Sequence, residues 1–309
     1  MATQKEVKSR ISSVKNIQKI TRAMEMVAAA RLRRAEQRIE QMRPYARAIR
    51  RMTRRTVEAA ENIPNLPLLE EHDKENKVGL LLVTGDRGLA GAFNSQIIRA
   101  GNRRAAELRD EGKEVVWYAS GRRGISSLEF RGQEVEFGHA GFTDRPAFDD
   151  ARRLADAVAA AYVDEKVDRV ELIFNSYISP LTQEVRVNTL LPLQEMAQLV
   201  AVAEGEGDGD GEEVSDDEDR GDKRALWFFE PEPEEILQRL VPDFIEITIF
   251  RALLESTASE HGARMTAMRN AQENASEMIE DLTLEMNRQR QAEITQEIME
   301  VVAGAEGLS

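Results

Sequence analysis

The pattern of apolar and polar positions predicts two long terminal helices. Residues 245–305 contain a single interior glycine, Gly262, before Gly304 and no proline, which predicts one uninterrupted helix about 90 Å long. Residues 3–56 are also helical in spacing, and we expect Pro44 to kink that helix. Its apolar stripe, with a spacing of three or four, consists of Val7, Ile11, Val14, Ile17, Ile20, Met24 and Val27. A rod this long cannot be buried by one small domain, so it is expected to project and to pack against other helices.

Between the terminal helices, short apolar runs alternate with helical stretches. The run VGLLLVT at 78–84 is typical of a strand buried on both faces. Strands are expected at 78–84, 115–119, 169–174 and 183–190, and helices at 94–111, 124–130 and 146–163. This alternation predicts a three-layer, Rossmann-like α/β domain.

The predicted fold class is therefore α/β, with an antiparallel coiled coil of the two terminal helices attached to the central domain. The expected units are 1–60 for the first coiled-coil helix, 75–200 for the α/β domain, 204–222 for an acidic loop and 232–309 for the second coiled-coil helix.

The charge distribution supports pairing of the two ends of the chain. Residues 1–55 carry 16 Lys/Arg and 4 Asp/Glu, whereas residues 245–309 carry 5 and 12, so an antiparallel helix pair would be electrostatically complementary. Residues 204–222 contain 11 acidic residues and one basic residue, which predicts a disordered surface loop. Its role stays open between a passive insertion and a regulatory or cation-buffering one. The net charge of −14 disfavours nucleic-acid and anionic-membrane partners.

Candidate chemistry is sparse. The glycine-rich stretch Gly85–Gly91 follows a predicted strand and precedes a helix, as phosphate-binding loops do, but its GxxGxxG spacing differs from the GxGxxG pattern. A structural turn and a nucleotide site both remain open, the turn being favoured. His72, His139 and His261 lie far apart without metal-ligand spacing, and the chain has no cysteine. We expect no metal, no cofactor and no catalytic residue, hence an assembly protein and not an enzyme.

Several segments, in order along nearly the whole chain, resemble the gamma subunit of F-type ATP synthases. They are IQKITRAMEMVAA at 17–29, RPY at 43–45, DRGLAG at 86–91, FEPEP at 229–233, SEHGARM at 259–265 and AEITQEI at 292–298. Two departures are the acidic stretch 204–222, where the family has a shorter link, and Trp227, where it often has tyrosine.

The resemblance implies a central-stalk rotor whose turning inside the alpha/beta hexamer couples proton flow to ATP synthesis. It implies hexamer contacts at Lys19, Met24, Arg290, Gln291, Thr295 and Glu297, and contacts with the c-ring and epsilon subunit near Trp227 and Glu230. It further implies a peripheral protein on the cytoplasmic face of a bacterial plasma membrane, held there only through the c-ring. The alternative reading is a coiled-coil adaptor with a nucleotide-binding α/β domain.

Overall fold

The computed structural model describes residues 4–60, 66–72, 74–193 and 230–306. The predicted acidic loop 204–222 and the predicted contact residue Trp227 lie outside these residues. The elements, in chain order, are α1 (Gln4–Ala59), β1 (Lys77–Val83), α2 (Phe93–Asp110), β2 (Glu114–Ser120), α3 (Arg122–Phe130), β3 (Val135–His139), α4 (Phe148–Val163), β4 (Arg169–Tyr177), β5 (Gln183–Leu191) and α5 (Pro233–Glu306).

The strands form one five-stranded sheet in the order β3-β2-β1-β4-β5. Strands β1 to β4 are parallel, and β5 runs antiparallel to β4 at one edge. Since β1 lies between β2 and β4, the chain direction across the sheet reverses at the β1/β4 boundary, which is where open α/β sheets usually bind ligands. We call this sheet with α2, α3 and α4 the head, and α1 with α5 the shaft.

Each face of the sheet has its own core, which confirms the predicted three layers. On one face, alternate residues of β1 (Val78, Leu80 and Leu82) pack with Phe93 and Ile97 of α2. The other face is covered by α4 together with the first part of α5. Its core includes Leu81, Val83, Leu154, Val158, Leu172, Ile245, Ile249 and Leu253. The head is therefore not independent of the shaft, because α5 completes its core.

The shaft is an antiparallel helix pair whose register follows from two bonds. The Gln18 amide donates to Ser276 Oγ over 2.8 Å, and Arg269 pairs with Glu25 over 3.0 Å. Continuing this register places Arg290 opposite Gln4, the first described residue of α1. Beyond that point α5 extends without α1 beside it.

The predicted apolar stripe of α1 is only partly covered. Val7 and Ile11 are buried, but Ile17, Ile20 and Val27 are more than half exposed. The buried positions further along are Thr21, Ala28, Leu32 and Ala35. One partner helix covers only a narrow seam, and α5 follows the smaller side chains, so the larger apolar ones remain uncovered.

One element differs from the sequence prediction. Strand β3 was not anticipated, because its five residues alternate between partly buried and exposed positions and pair on one side only. Helix α5 begins at Pro233 and continues through Pro242, beside which Leu66, Pro67 and Leu68 line a shared apolar cavity of about 230 Å³. Across the described ranges, no helix is long and apolar enough to cross a bilayer.

Candidate functional site

The residues that the sequence assigns to the catalytic hexamer lie on the part of the shaft farther from the head, near the N-terminal end of α1 and the C-terminal end of α5. We call this part the outer shaft. Lys19 is exposed and Met24 partly buried on the two-helix section. Arg290, Gln291, Thr295 and Glu297 are all exposed on the part of α5 that extends past α1. At 1.5 Å per residue, Arg290 lies roughly 20 Å beyond Ser276, the partner of Gln18. The two groups therefore share the shaft surface but do not form one cluster.

Glu230 lies at the opposite end of the protein. It is exposed and immediately precedes α5. Helix α5 has 74 residues, so its two ends are separated by about 110 Å. The predicted contact sites for the hexamer and for the c-ring side are thus joined by one continuous helix.

The glycine-rich loop after β1 uses its polar groups internally. The Gly85 amide donates to Asn94 Oδ1 over 2.8 Å, and the Asp86 amide donates to Thr143 Oγ1 over 2.9 Å. In phosphate-binding loops, such amides point at the ligand. Here side chains of the same head accept them, which supports the structural-turn reading of Gly85–Gly91.

Asp86 fixes the loop between β3 and α4. Its carboxylate accepts hydrogen bonds from the amides of Arg122, Gly141 and Thr143 and from the Thr143 hydroxyl, at 2.9 to 3.1 Å. Burial raises the pKa of Asp86, but these hydrogen bonds outweigh that effect and hold the pKa below its usual value. The carboxylate is therefore charged at neutral pH and joins three loops at this edge of the sheet.

The crevice at the β1/β4 boundary is occupied by the shaft itself. A Cβ atom placed on Gly85 would lie 2.7 Å from a carboxylate oxygen of Glu260, which is 2% exposed. Ser256 Oγ reaches the carbonyl of Val83 over 3.4 Å, and Ser259 Oγ reaches that of Asn175 over 3.3 Å. The chain's own carboxylate thus stands where an anionic ligand would enter, which argues against a nucleotide site.

Glu260 is one of three buried ionisable residues on the same turn of α5. Arg264 donates to the Glu260 carboxylate, to the Gly88 carbonyl over 3.4 Å and towards His261 Nδ1 over 3.2 Å. Burial raises the pKa of Glu260 despite Arg264. Burial, followed by the charge of Arg264, lowers the pKa of His261 to about 4, so this imidazole is neutral at physiological pH.

The histidines are placed separately, as their spacing indicated. His72 bonds Asp168, His139 ends β3 and bonds Asp150, and His261 belongs to the cluster on α5. The His139 ring is also stacked on Phe142, with the ring centroids 4.5 Å apart.

Sequence reasoning did not single out the cluster of Glu260, His261 and Arg264 as a contact between shaft and head. Its signal was available: three ionisable residues within five positions of a helix whose neighbours, Ala258 and Ala263, are small and apolar. Such residues are seldom buried unless they are paired, so their crowding near Gly262 indicated a close approach of another part of the chain.

These features define a class of protein: an elongated shaft of two helices carrying an α/β head whose ligand crevice is closed by the shaft. Comparisons with known proteins agree. A family model described as ATP synthase matches residues 3–308. The ATP synthase gamma chain of Rubrobacter xylanophilus is 40% identical over 310 residues, covering 100% of this chain and 99% of the relative. That of Heliobacterium modesticaldum is 41% identical over 308 residues, with 100% of both chains covered.

Solved structures show the same fold. A chain of the Euglena gracilis mitochondrial ATP synthase matches with a TM-score of 0.67 at 17% identity, covering 99% of this chain and 94% of that one. A chain from the central stalk and c-ring structure of the Tetrahymena thermophila mitochondrial enzyme matches with a TM-score of 0.58 at 24% identity, covering 82% and 99%.

The chain belongs to the ATP synthase gamma chain family. It is accordingly a non-catalytic, central-stalk subunit of the F-type ATP synthase.

Proposed function

We propose that this chain turns inside an alpha/beta hexamer through the outer shaft and is driven at its other end by a c-ring and epsilon subunit. The hexamer contacts would be Lys19, Met24, Arg290, Gln291, Thr295 and Glu297, and the c-ring side would lie near Trp227 and Glu230. The protein would sit peripherally on the cytoplasmic face of a bacterial plasma membrane, and its rotation would couple proton flow to ATP synthesis.

The observation that carries this proposal is the uncovered end of α5. Ile294, Ile298 and Val301 follow one another at helical spacing and are 47%, 56% and 73% exposed. A one-sided apolar stripe on a helix is normally covered by a partner. Because α1 does not reach this stretch, another protein must cover it, and a surrounding hexamer would do so on every side.

The polar residues of the same stretch are available for partners. Within the part of the chain that the structure describes, Arg290 forms no ion pair, and its guanidinium can bind a carboxylate through two parallel hydrogen bonds. The Thr295 hydroxyl donates to the Gln291 carbonyl over 2.8 Å, and the residue as a whole is exposed. These residues can add directional contacts to the apolar stripe.

The test is assembly and hydrolysis with the alpha and beta subunits of a bacterial F-type ATP synthase. We expect a complex of one copy of this chain with three alpha and three beta subunits, with ATP hydrolysis above that of the alpha/beta subunits alone. The R290A/T295A variant should lower turnover roughly tenfold, since one lost charged hydrogen bond is worth about 1.5 kcal/mol or more.

A matched control changes the same residue types elsewhere. Arg186 and Thr189 are exposed on β5 of the head, so R186A/T189A should leave turnover unchanged. The proposal is wrong if the chain elutes apart from the hexamer, or if the two double variants lower turnover equally.

A further inference from the structure

Besides the apolar core that α5 shares with the head, one short loop carries polar contacts from the head to the shaft. It consists of residues 143–146 between β3 and α4, and we call it the wedge loop. It reaches both shaft helices. Towards α5, the Thr143 carbonyl accepts a hydrogen bond from Thr257 Oγ1 over 3.0 Å. Towards α1, the Pro146 carbonyl accepts one from the Arg38 guanidinium.

Asp144, at the tip of the wedge loop, contacts both helices through one residue. One nitrogen of the Arg31 guanidinium of α1, Nη1, donates to both oxygens of its carboxylate in an ion pair. The same carboxylate lies 4.0 Å from His261 Nε2 of α5 and 3.7 Å from Arg87 of the glycine-rich loop. Hydrogen bonds between two charged groups are roughly twice as strong as neutral ones.

The wedge loop is also held rigidly to the head. The Asp86 carboxylate binds the amides of Gly141 and Thr143, and the Ala147 amide at the start of α4 is capped by Asp150 over 2.8 Å. A force applied to the head therefore reaches Asp144 through charged hydrogen bonds and not through a free loop.

A second bridge between head and shaft lies at the end of β4. The Tyr177 hydroxyl donates to Glu36 of α1 over 2.5 Å, and Ser176 Oγ donates to Glu255 of α5 over 2.8 Å. The two bridges attach to different parts of the head, the β3–α4 loop and the β4 strand end. A helix pair that is bonded to the head at two separate points cannot rotate about either point relative to the head.

We propose that Asp144 and Tyr177 are positioning residues that lock the head to α1, beside the core that the head already shares with α5, so that the head and both shaft helices turn as one body. This inference rests on the proposed rotor function and adds to it the residues through which the two bodies are joined. In the proposed function the c-ring side lies near Trp227 and Glu230, at the start of α5, and the hexamer contacts only the outer shaft. Loss of the lock should therefore affect coupling and spare hydrolysis.

The test compares ATP hydrolysis with ATP-driven proton pumping in vesicles that contain the complete assembly. In D144N/Y177F, hydrolysis should stay at the native rate, while the number of protons pumped per ATP falls below that of the native assembly. The matched control D149N/Y45F makes the same chemical changes at two exposed positions. It should keep both activities.

A reversible cross-link separates the lock from a general loss of structure. A Cβ atom on Gly91 of the head would lie 3.7 Å from Cβ of Ala267 on α5, within disulfide range, and the native chain has no cysteine. Adding G91C/A267C to D144N/Y177F should restore pumping under oxidising conditions and lose it again on reduction. The same cross-link in the otherwise native chain should leave pumping unchanged.

Three results would overturn the lock. The first is a native number of protons pumped per ATP in D144N/Y177F. The second is that the disulfide fails to restore pumping to a variant that has lost it. The third is that the disulfide stops pumping in the otherwise native assembly, which would show that head and shaft must move relative to each other. If D144N/Y177F does not assemble, R31Q/Y177F removes the α1 partner of Asp144 at a half-exposed position and is judged by the same criteria. Absence of native-chain hydrolysis would instead contradict the rotor function itself.

Discussion

Removing Arg264 should destabilise the protein far more than removing an exposed arginine on the same helix. Arg264 is 8% exposed and is the ion-pair partner of Glu260, which is 2% exposed. Replacement by methionine keeps the length of the side chain but leaves the Glu260 carboxylate buried beside Gly85 without a counter-charge. Breaking one side of a buried ion pair costs about 3–5 kcal/mol.

The loss should depend on pH in a defined direction. Burial already raises the pKa of Glu260 above its usual value in the native protein, and loss of Arg264 raises it further. A carboxyl whose pKa is higher in the folded state takes up a proton on folding. The contribution of Glu260 to the free energy of unfolding of R264M should therefore be fully present below the ordinary glutamate pKa and be lost as the pH rises through the raised value.

Two companion variants isolate the cause. Adding E260Q to R264M removes the stranded charge, so most of the loss should be recovered and its pH dependence should disappear. The control R269M removes the arginine that pairs with Glu25, whose side chains are 50% and 20% exposed. Exposed pairs contribute about 0–1 kcal/mol, so R269M should be close to the native protein.

Urea unfolding followed by tryptophan fluorescence measures these differences. Trp117 is buried in β2, and its indole nitrogen donates to Gln133 over 3.1 Å. The chain has two tryptophans, so W227F in every protein compared leaves Trp117 as the single fluorescent probe. With an m-value of about 2 kcal/mol/M, R264M should lower the midpoint by roughly 2 M. The reasoning fails if R264M and R269M shift the midpoint equally, or if E260Q recovers nothing.

Two further predictions concern the same turn of α5. G262A should lower the melting temperature, because its Cβ would lie 3.0 Å from the Pro180 carbonyl oxygen and 3.2 Å from Gln183 Nε2. This crowding opposes the higher helix propensity of alanine, which favours the helix by about 1 kcal/mol. A higher melting temperature would contradict the close approach. His261 has a pKa of about 4 when folded against 6.5 as its reference value, so the unfolded chain binds its proton first and acid destabilises the protein. The native chain should lose about 3 kcal/mol relative to H261N between pH 6.5 and 4, and parallel pH profiles of the two proteins would refute this.

The parts of the fold that the sequence predicted are those with strong local signals. Strand β1 was expected at 78–84 and spans Lys77–Val83, because a continuous apolar run between turn residues has few other interpretations. Strand β3 gave no such signal, since it is short and half exposed. Helix α5 was expected to be uninterrupted over 245–305, and it extends back from there through Pro242 to Pro233.

The candidate sites divide in the same way. The contact residues of the outer shaft follow from a resemblance along the chain, and their assignment stays a prediction. The contacts between head and shaft could not be predicted. Arg31, Asp144 and Glu260 are each separated by more than a hundred residues along the chain, and they come together only when the head packs against the shaft. Periodicity shows that a helix has an apolar face, but it does not show which part of that face a partner covers.

The head illustrates why a fold does not determine a function. An open parallel sheet presents loop amides and a crevice at the boundary where its strand order reverses, and this arrangement suits an anionic ligand. In this chain Asn94 and Thr143 accept the loop amides, and the Glu260 carboxylate enters the crevice from α5. The crevice that binds a nucleotide in other α/β proteins here holds helix α5. A buried, charged contact resists movement of α5 along the head better than an apolar contact does, because its hydrogen bonds have fixed directions. A crevice of the kind that binds ligands thereby becomes the place where the shaft is attached to the head.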